Sequence, residues 1–308
     1  MISALVVGCG AIGSEYDRSG PLGAAPRSHA GAYAASPRTA LAGGVDPDPG
    51  ARRRFTELWE VPCYASLAEA LAACAAEVVS VCTPPDARGG VVTELLEGPV
   101  RAIWMEKPLA EGVAAAEAIV GACERAGVPL QVNFLRRFDS LHQRVADMVR
   151  GRVLRADFRF SGTVENYGSH AIDLFRWFVG EPVRVAAEAL DAGEPLLRVE
   201  TEDGRAGTFV RVRGSAMPLF DCDLWLEDSR IALTALGEQL VVASSAPSTL
   251  FADLKRLEFG SPDPELGLEH AMSAALIALL DHLERGTPLP CTGADGVAEL
   301  RVREAAST

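Results

Sequence analysis

The sequence predicts an α/β protein with two domains, and three observations support this fold class. The chain has 308 residues, 48% of them hydrophobic, which is long for one domain and enough for two separate cores. Up to about Phe134, short apolar runs alternate with amphipathic stretches, which is the rhythm of parallel βαβ units. After about Gly151, strand-like runs lie close together with turn residues between them, which indicates a second, sheet-based domain.

The N-terminal part is predicted to form a doubly wound parallel sheet, and we place the end of this domain at residue 128 (domain 1–128). Its strands are expected at the apolar runs ISALVV, LAGGVD, VVSVCT, AIWM and LQVNF. The segments between these runs carry apolar residues three and four positions apart, as crossover helices do. These segments are Ala51 to Glu60, Leu67 to Ala75, Ala87 to Leu96 and Val113 to Ala126.

The second domain, residues 129–308, is predicted to be α+β with an open, mostly antiparallel sheet. Its strands are expected at VLRADFRF, PLLRVET, GTFVRVR, CDLWLE, RIALTA and QLVVA. Apolar and polar residues alternate most clearly in FVRVR, which indicates that one face of the sheet is solvated or covered by helices. A long helix from about Glu265 to Arg285 and a shorter one near Gly293 to Glu304 close the chain.

The charge and the hydrophobic pattern exclude several classes of partner. The net charge is −13 and no block of basic residues is interleaved with aromatics, so we expect no nucleic-acid ligand. No apolar run approaches the roughly 18 residues that span a bilayer, and the N-terminus lacks a basic region followed by a cleavage site. We therefore expect a cytoplasmic protein that does not enter a membrane.

The cysteines are predicted to be reduced thiols. There are seven of them, scattered without a CxxC pair or a neighbouring histidine cluster. We expect them to be mostly buried, and we predict no metal site.

The first motif is a glycine-rich turn directly after the first predicted strand. Gly8-Cys9-Gly10-Ala11-Ile12-Gly13 matches GxGxxG in the strand-to-helix context that dinucleotide sites require. The first glycine allows the tight turn, the second allows the pyrophosphate to approach, and the third allows close packing of helix on strand. We predict that Gly8, Gly10, Ala11, Ile12 and Gly13 bind a dinucleotide.

An acidic residue at the end of the second strand favours NAD over NADP. Asp46 stands where a carboxylate accepts hydrogen bonds from the ribose hydroxyls and repels a 2′-phosphate. The arginines 52–54 follow closely and leave NADP possible, although such a run commonly forms a solvated helix face. Asp46 lies 33 positions after Gly13, more than the usual ~20. The excess is an insertion at about 14–30, which either lies over the cofactor or is a tolerated surface loop.

The second motif is a lysine at the end of the fourth predicted strand. Ile103 to Met105 run into Glu106-Lys107-Pro108, and the proline holds Lys107 extended. Open α/β sheets bind ligands at the carboxyl ends of their strands, so Lys107 is expected to point into a cleft. A surface lysine at a strand exit is the alternative.

Five motifs occur in a fixed order within residues 1 to 185. They are GCGAIG, VDPDP, TPPDAR, MEKPLA and NYGSHAIDLFRWFVGEP. Together they resemble the Gfo/Idh/MocA oxidoreductases. The resemblance implies an NAD(P)-dependent dehydrogenase or reductase acting on sugars, cyclitols or nucleotide-linked sugars. It also implies a second domain that supplies the substrate site and often the oligomer interface, so we expect a homo-oligomer, either a dimer or a tetramer.

The resemblance also implies roles for individual residues. Lys107 would orient or polarise the reacting oxygen, and His170 would carry the proton, a task for which a pKa near 6.5 is suited. Asp173, three positions after His170 on a helix, could hold the imidazole tautomer or touch a hydroxyl. The resemblance places further residues around the cofactor and substrate: Thr83 and Pro84 beneath the nicotinamide ribose, Glu106 on the cofactor side, Asn133 at the nicotinamide, and Tyr167 with Arg136 or Arg137 at the substrate.

Two positions depart from the family pattern. Many family dehydrogenases carry aspartate at the position of Asn166, and asparagine cannot accept a proton. The proton relay would then rest on His170, Lys107, Tyr167 or water, while Asn166 either binds a hydroxyl or simply caps a helix. Arg88 stands where the family often has histidine. His170 itself could instead be a buried structural histidine.

Three functions are compatible with these motifs. The first is an NAD-dependent sugar or cyclitol oxidoreductase. The second is a sensor or co-regulator that keeps the dinucleotide fold without turnover. The third is a hydrolase-like or epimerase-like enzyme that oxidises its substrate transiently with tightly held NAD. Because both the EKP lysine and the histidine are present, we favour the oxidoreductase.

Overall fold

The computed structural model describes residues 1–19, 24–189, 195–263 and 268–306. Packing groups the chain into two compact units. Unit 1 is Met1–Phe138 with Glu269–Leu300, and unit 2 is Asp139–Leu268 with Arg301–Thr308. The predicted domain boundary at residue 128 stays a prediction. In the structure, residues 269–300 of the C-terminal helical segment pack with the N-terminal part of the chain.

Unit 1 contains a six-stranded parallel sheet in the order β3-β2-β1-β4-β5-β6. The strands are β1 (Ile2–Val7), β2 (Thr39–Val45), β3 (Cys63–Tyr64), β4 (Val78–Val81), β5 (Ala102–Met105) and β6 (Leu130–Val132). Every residue of β4 and β5 is buried, as expected when helices cover both faces of a parallel sheet. The doubly wound sheet predicted from the apolar runs is confirmed.

Helices connect these strands at the predicted places. They are α1 (His29–Ala35), α2 (Pro49–Trp59), α3 (Leu67–Ala73), α4 (Arg88–Leu95) and α5 (Val113–Ala126), and the later helices α8 (Ala271–Arg285) and α9 (Gly293–Ala305) follow unit 2 in the chain. The start of α2 is set by Asp48, whose carboxylate accepts the amides of Gly50 and Ala51, with proline in the first turn.

The first crossover is split by the predicted insertion. A short 3₁₀ turn, Glu15–Asp17, follows the glycine loop, and α1 begins only at His29. The amides of His29 and Ala30 donate to the carbonyls of Ile12 and Gly13, both at 3.0 Å. Helix α1 is therefore anchored on the glycine loop, although residues 20–23 of the insertion lie outside the described residues.

Unit 2 contains an eight-stranded sheet in the order β14-β13-β12-β11-β7-β10-β9-β8. The strands are β7 (Arg155–Phe160), β8 (Pro182–Ala189), β9 (Pro195–Thr201), β10 (Ala206–Arg211), β11 (Phe220–Trp225), β12 (Ser229–Thr234), β13 (Gln239–Pro247) and β14 (Lys255–Phe259). The sheet is mostly antiparallel, as predicted. Among the described strands, the one parallel pair is β7 with β10; β8 to β10 lie on one side of β7 and β11 to β14 on the other.

One face of this sheet packs on its own helices, α6 (Ser140–Val149) and α7 (Ser169–Phe178). Phe158 and Phe209 stack at 5.1 Å between ring centroids, and Phe175 of α7 meets Phe209 edge-on at 5.9 Å. The alternation in β7 buries Phe158 and leaves Arg155 and Arg159 on the opposite, solvated face.

The first C-terminal helix is shorter than predicted. The long helix predicted from about Glu265 begins at Ala271 as α8, because Leu268–His270 form a 3₁₀ turn; the predicted residues 265–267 lie outside the described residues. Within the described parts of the chain, none of the helices has the length and apolar character needed to cross a bilayer.

Candidate active site

The glycine loop follows β1, and its geometry explains why these positions carry glycine. Gly8 has a φ of +93°, and a Cβ placed on it would lie 2.8 Å from the backbone of Cys82 and of Thr83. A Cβ on Gly13 would lie 2.0 Å from the carbonyl oxygen of Gly8. Around Gly10, by contrast, such an atom would meet no described atom within 4 Å. The loop is therefore tightly packed at both ends and open in the middle, where a pyrophosphate would approach.

Asp46 follows β2 and is held next to the glycine loop. The amide of Cys9 donates to its Oδ2 at 2.9 Å, and the amide of Asp48 donates to its Oδ1 at 2.9 Å. Each carboxylate oxygen has more than one lone pair, so each can still accept a hydrogen bond from a hydroxyl group. This arrangement fits the two hydroxyls of an adenosine ribose.

The arginines after Asp46 have acceptors within the protein. Arg52 donates to the carbonyls of Asp46 at 2.9 Å and Pro47 at 2.8 Å. Arg54 pairs with Glu15 of the insertion. Both contacts favour a structural role for these side chains over binding of a 2′-phosphate, in agreement with the preference for NAD.

Glu106 follows β5 and forms the centre of a buried polar cluster. His29 Nε2 lies 3.1 Å from its Oε1, and Asn133 Nδ2 donates to the same oxygen at 2.6 Å. The amide of Lys107 donates to Oε2 at 3.2 Å. Burial opposes the charge on Glu106, but hydrogen bonding to His29 and Asn133 and the nearby Lys107 lower its pKa below the ordinary value. Glu106 is therefore held as a carboxylate beside Lys107.

His29 extends this cluster into the interior of unit 1. Its Nδ1 lies 2.8 Å from the Ser80 hydroxyl, which in turn lies 2.7 Å from the Tyr33 hydroxyl. The imidazole also packs on Trp104, with 4.0 Å between ring centroids. We did not predict His29 from the sequence. A histidine and a tyrosine four apart on one helix, with a serine inside the apolar run VVSV, are the signal that could have identified it.

Among the buried side-chain oxygens that lack a hydrogen-bond partner in the described structure, two lie just after strands of the parallel sheet. They are Oδ1 of Asn133 and Oγ1 of Thr83. Buried polar atoms normally have partners, so these two are candidates for contacts with a bound molecule. Together with Asp46 and the open position at Gly10, they fit a nicotinamide dinucleotide, whose ribose and carboxamide groups could reach them.

Arg88 joins the turns that follow β4 and β5. Its guanidinium donates to the carbonyl of Thr83 at 3.0 Å and also to the carbonyls of Glu106 and Pro108. Burial lowers the pKa of Arg88, although Glu106 acts in the opposite direction. The departure from the family pattern at this position therefore supplies a link between two turns that carry predicted site residues.

Lys107 and the two arginines after β6 lie in the same unit. Lys107 is half-buried, and the Lys107–Pro108 peptide bond is cis. Arg136 and Arg137 belong to the turn Leu135–Phe138, and both are buried, at 5% and 6% exposed. Arg137 donates to the carbonyl of Pro290 and pairs with Asp295. A substrate role for Arg136 stays a prediction.

In unit 2 the predicted proton carrier follows an unusual turn. A π-helical turn, Val164–Gly168, precedes α7, and the Thr163 hydroxyl accepts the amide of Asn166 at 3.2 Å. Thr163 therefore caps this segment, and the alternative in which Asn166 is the cap is wrong. The Asn166 side chain is exposed, and π turns often occur at functional sites.

His170 lies in the first turn of α7 and is half-buried. Asp173 is 1% exposed and lies 3.7 Å from Arg176, which also pairs with Glu181 at 2.6 Å. The Tyr167 ring lies 6.2 Å from Phe220 in the sheet core. The roles of His170, Asp173 and Tyr167 stay predictions.

A family match covers most of the N-terminal part of unit 1, including the glycine loop, Asp46 and Glu106. A family model described as an oxidoreductase family with an NAD-binding Rossmann fold matches residues 2–134. Over these residues, the chain matches the Gfo/Idh/MocA family that its motifs resemble. The parallel sheet of unit 1 is accordingly an NAD-binding Rossmann fold.

Curated relatives match different lengths of the chain. The rhizopine catabolism protein MocA of Rhizobium meliloti is 26% identical over 91% of this chain and 90% of its own length. D-apiose dehydrogenase of Paraburkholderia graminis is 32% identical, but over 40% of this chain and 38% of its own length. The chain also spans 52% of the YceM protein of Salmonella typhimurium. Two of these matches thus cover about half of the relative or less.

Solved structures share the fold over nearly the whole chain. The WlbA dehydrogenase from Bordetella pertussis, in complex with NADH and UDP-GlcNAcA, has a TM-score of 0.76 at 18% identity, covering 99% of this chain and 95% of that one. A dehydrogenase from Chromobacterium violaceum has a TM-score of 0.81 at 16% identity, covering 99% and 94%. Both units therefore have the fold seen in these dehydrogenases.

Proposed function

We propose that this protein is a Gfo/Idh/MocA-type, NAD-dependent dehydrogenase or reductase that acts on a carbinol or ketone of a sugar, cyclitol or nucleotide-linked sugar. The observation that carries the proposal is the buried Glu106 carboxylate, which receives His29, Asn133 and the Lys107 amide at the end of β5. Burying a charge costs free energy unless hydrogen bonds and nearby opposite charges compensate it. Buried charges held in this way are frequent at functional sites. Its place at a strand end of a dinucleotide fold favours function.

The cofactor would be held by residues spread along the carboxyl ends of the strands of unit 1. Gly8 to Gly13 would hold the pyrophosphate, Asp46 the adenosine ribose, and Thr83 with Asn133 the nicotinamide half. When bound, NAD supplies the hydride acceptor or donor. The preference for NAD over NADP rests on Asp46, whose charge disfavours a 2′-phosphate.

The chain itself would manage the oxygen and its proton. Lys107 would stabilise negative charge on the reacting oxygen as the hydroxyl proton leaves. His170 would take that proton on oxidation and return it on reduction. Asn166 is limited to hydrogen bonding, so His170 is the titrating residue of this set with an ordinary pKa close to neutrality. Tyr167 and Arg136 would contact the substrate.

The substrate class is supported by the names of relatives and by the polar character of these residues. D-apiose dehydrogenase and the structure with bound UDP-GlcNAcA both involve sugars. Side chains such as Asn166, Tyr167 and Arg136 suit hydroxyl or phosphate groups better than apolar ones.

The first test is cofactor binding. We expect the purified protein to bind NADH more tightly than NADPH in a fluorescence titration. Asp46→Ala should weaken NADH binding by about tenfold, the size of one lost charge-assisted hydrogen bond, and reduce the preference for NADH. Arg53→Ala, an exposed change near Asp46 on α2, is the matched control and should bind NADH like the wild type. Failure of the folded protein to bind either nucleotide would remove the basis of the proposal.

The second test distinguishes turnover from other uses of NAD. Oxidised sugars and cyclitols are screened for loss of the NADH signal, with Lys107→Ala and His170→Ala as inactive controls. NADH that binds tightly yet is never consumed would point to a sensor. Substrate conversion without net change of the nicotinamide would instead point to a transient oxidation.

A further inference from the structure

Two cysteines of unit 1 lie against each other beside the glycine loop. Cys9 stands between Gly8 and Gly10, and Cys63 begins β3 at the edge of the sheet. Their Sγ atoms are 3.6 Å apart, although the residues are 54 positions apart in the sequence. Cys9 is buried, whereas Cys63 is partly accessible. The pair thus combines an accessible thiol with a buried partner at contact distance.

The surroundings make Cys63 the better nucleophile of the two. Hydrogen bonding with Cys9 lowers the pKa of Cys63, with Arg52 acting in the same direction against burial and Asp46. The same hydrogen bond, together with burial, raises the pKa of Cys9. An attacking thiolate at Cys63 and a resolving thiol at Cys9 follow from these positions.

We propose that Cys9 and Cys63 are a redox modification site, at which a disulfide forms reversibly and weakens NAD binding. The Cys63 thiolate attacks one sulfur of a low-molecular-weight disulfide, breaks its S–S bond and releases one thiolate. Cys9 then loses its proton and attacks Cys63, which releases the second thiolate and closes the protein disulfide. The two protein thiols are oxidised, and the small disulfide is reduced to two thiols.

The bridge would act on the cofactor site through the backbone of Cys9. A disulfide brings the sulfurs from 3.6 Å to about 2.05 Å, so the loop, β3 or both must move. Free space is scarce, because a Cβ on the neighbouring Gly44 would lie only 2.7 Å from Cys9 Sγ. The Cys9 amide holds the Asp46 carboxylate at 2.9 Å, so movement of the loop displaces the group that is proposed to bind ribose.

The test treats fully reduced protein with glutathione disulfide and measures two quantities. Intact mass and peptide mapping should show a loss of two hydrogens and a Cys9–Cys63 linkage. An NADH titration should show binding weakened by about tenfold, restored by dithiothreitol. Cys63→Ser should bind NADH like the reduced wild type and should not respond to oxidation. Cys74→Ser, a change at another partly buried cysteine of unit 1, should respond like the wild type.

The expected change in NADH affinity rests on the proposed cofactor site, whereas disulfide formation is detected by mass spectrometry alone. The disulfide and the cofactor site can therefore be tested separately. Reduced protein that binds no NADH would overturn the cofactor assignment regardless of the bridge. Seven free thiols after oxidation, or a bridge between other cysteines, would overturn the modification site. A Cys9–Cys63 bridge without any change in NADH affinity would overturn the regulatory proposal.

Discussion

At the scale of single residues, the charge of Glu106 depends on partners that are distant in the sequence. His29 is 77 positions away and Asn133 is 27 positions away, yet both bind the same carboxylate oxygen. Burial alone would favour the neutral acid, and these hydrogen bonds outweigh it. The carboxylate then accepts the amide of Lys107, so the position of the predicted catalytic lysine depends on the buried polar cluster around Glu106.

The variant Glu106→Gln tests how much the charge of Glu106 contributes to the buried polar cluster. Since folding lowers the pKa of Glu106, its charge contributes stability above the ordinary value of 4.5, and this contribution is lost as the pH falls through the lower folded value. At neutral pH we expect the variant to be less stable by about 2 kcal/mol. The deficit should shrink as the pH falls below about 4.5, as measured by urea unfolding at a series of pH values.

The control for this experiment is the exposed Glu97→Gln, which should match the wild type at every pH. A deficit of Glu106→Gln that is independent of pH would mean that the side chain contributes shape rather than charge.

At the scale of elements, the glycine loop after β1 must both pack closely against neighbouring backbone and leave room for a bound ligand. The glycines at its ends are required by backbone contacts, because a Cβ on Gly13 would lie 2.0 Å from the Gly8 carbonyl oxygen. At Gly10 there is space in the described structure, so the reason for glycine there is access for the ligand. The same motif thus contains positions under different constraints.

A pair of alanine variants separates these constraints. Gly13→Ala should lower the free energy of unfolding by about 3 kcal/mol, because the contact can be relieved only by moving backbone. Gly10→Ala should leave the free energy of unfolding within about 0.5 kcal/mol and weaken NADH binding. Denaturant unfolding and NADH titration of both variants check the prediction. Equal stability of the two variants would contradict it.

The π turn before α7 offers a test in unit 2. The Thr163 hydroxyl accepts the Asn166 amide, so Thr163→Ala should cost about 1 kcal/mol and increase amide exchange at residues 164–168. Thr163→Ser retains the acceptor and should behave like the wild type. Unchanged exchange in the alanine variant would show that tertiary packing, rather than the cap, holds the turn that carries Asn166 and Tyr167.

At the scale of the whole molecule, self-association is the expectation that follows from the family resemblance. In unit 2, apolar side chains on and before β14 are strongly exposed. They are Leu250 at 82%, Phe251 at 62%, Leu254 at 57% and Phe259 at 57%. Adjacent exposed apolar residues of this kind commonly mark an interface.

We predict a homo-oligomer, a dimer or a tetramer, whose stability depends on this apolar set. Sedimentation over a range of concentrations should give a mass above the 32.5 kDa of one chain. Phe251→Asp should shift the equilibrium toward the monomer, because it adds a charge that an interface would have to desolvate. The control Glu97→Gln lies in unit 1 and should not change the mass. A monomer at all concentrations would refute the prediction.

The amino-acid sequence by itself determined the class of the fold, the dinucleotide loop and the acidic residue at the end of β2. These features depend on local pattern: apolar periodicity, glycine spacing and the residue at a strand end are legible without knowing what packs against them. Helix α5 spans the predicted residues, and the six-stranded sheet of unit 1 is parallel, as predicted.

Only the tertiary structure decided which side chains meet. It brought His29 and Asn133 to Glu106 and Ser80 to His29, set Arg88 between two turns, replaced Asn166 by Thr163 as the cap, and placed Cys9 against Cys63. All but the cap are contacts between distant segments, and their energies depend on burial and on the direction of each donor, which no local pattern encodes. The chemistry of this site therefore follows from the packing of strand ends, and the sequence motifs indicate only where those ends lie.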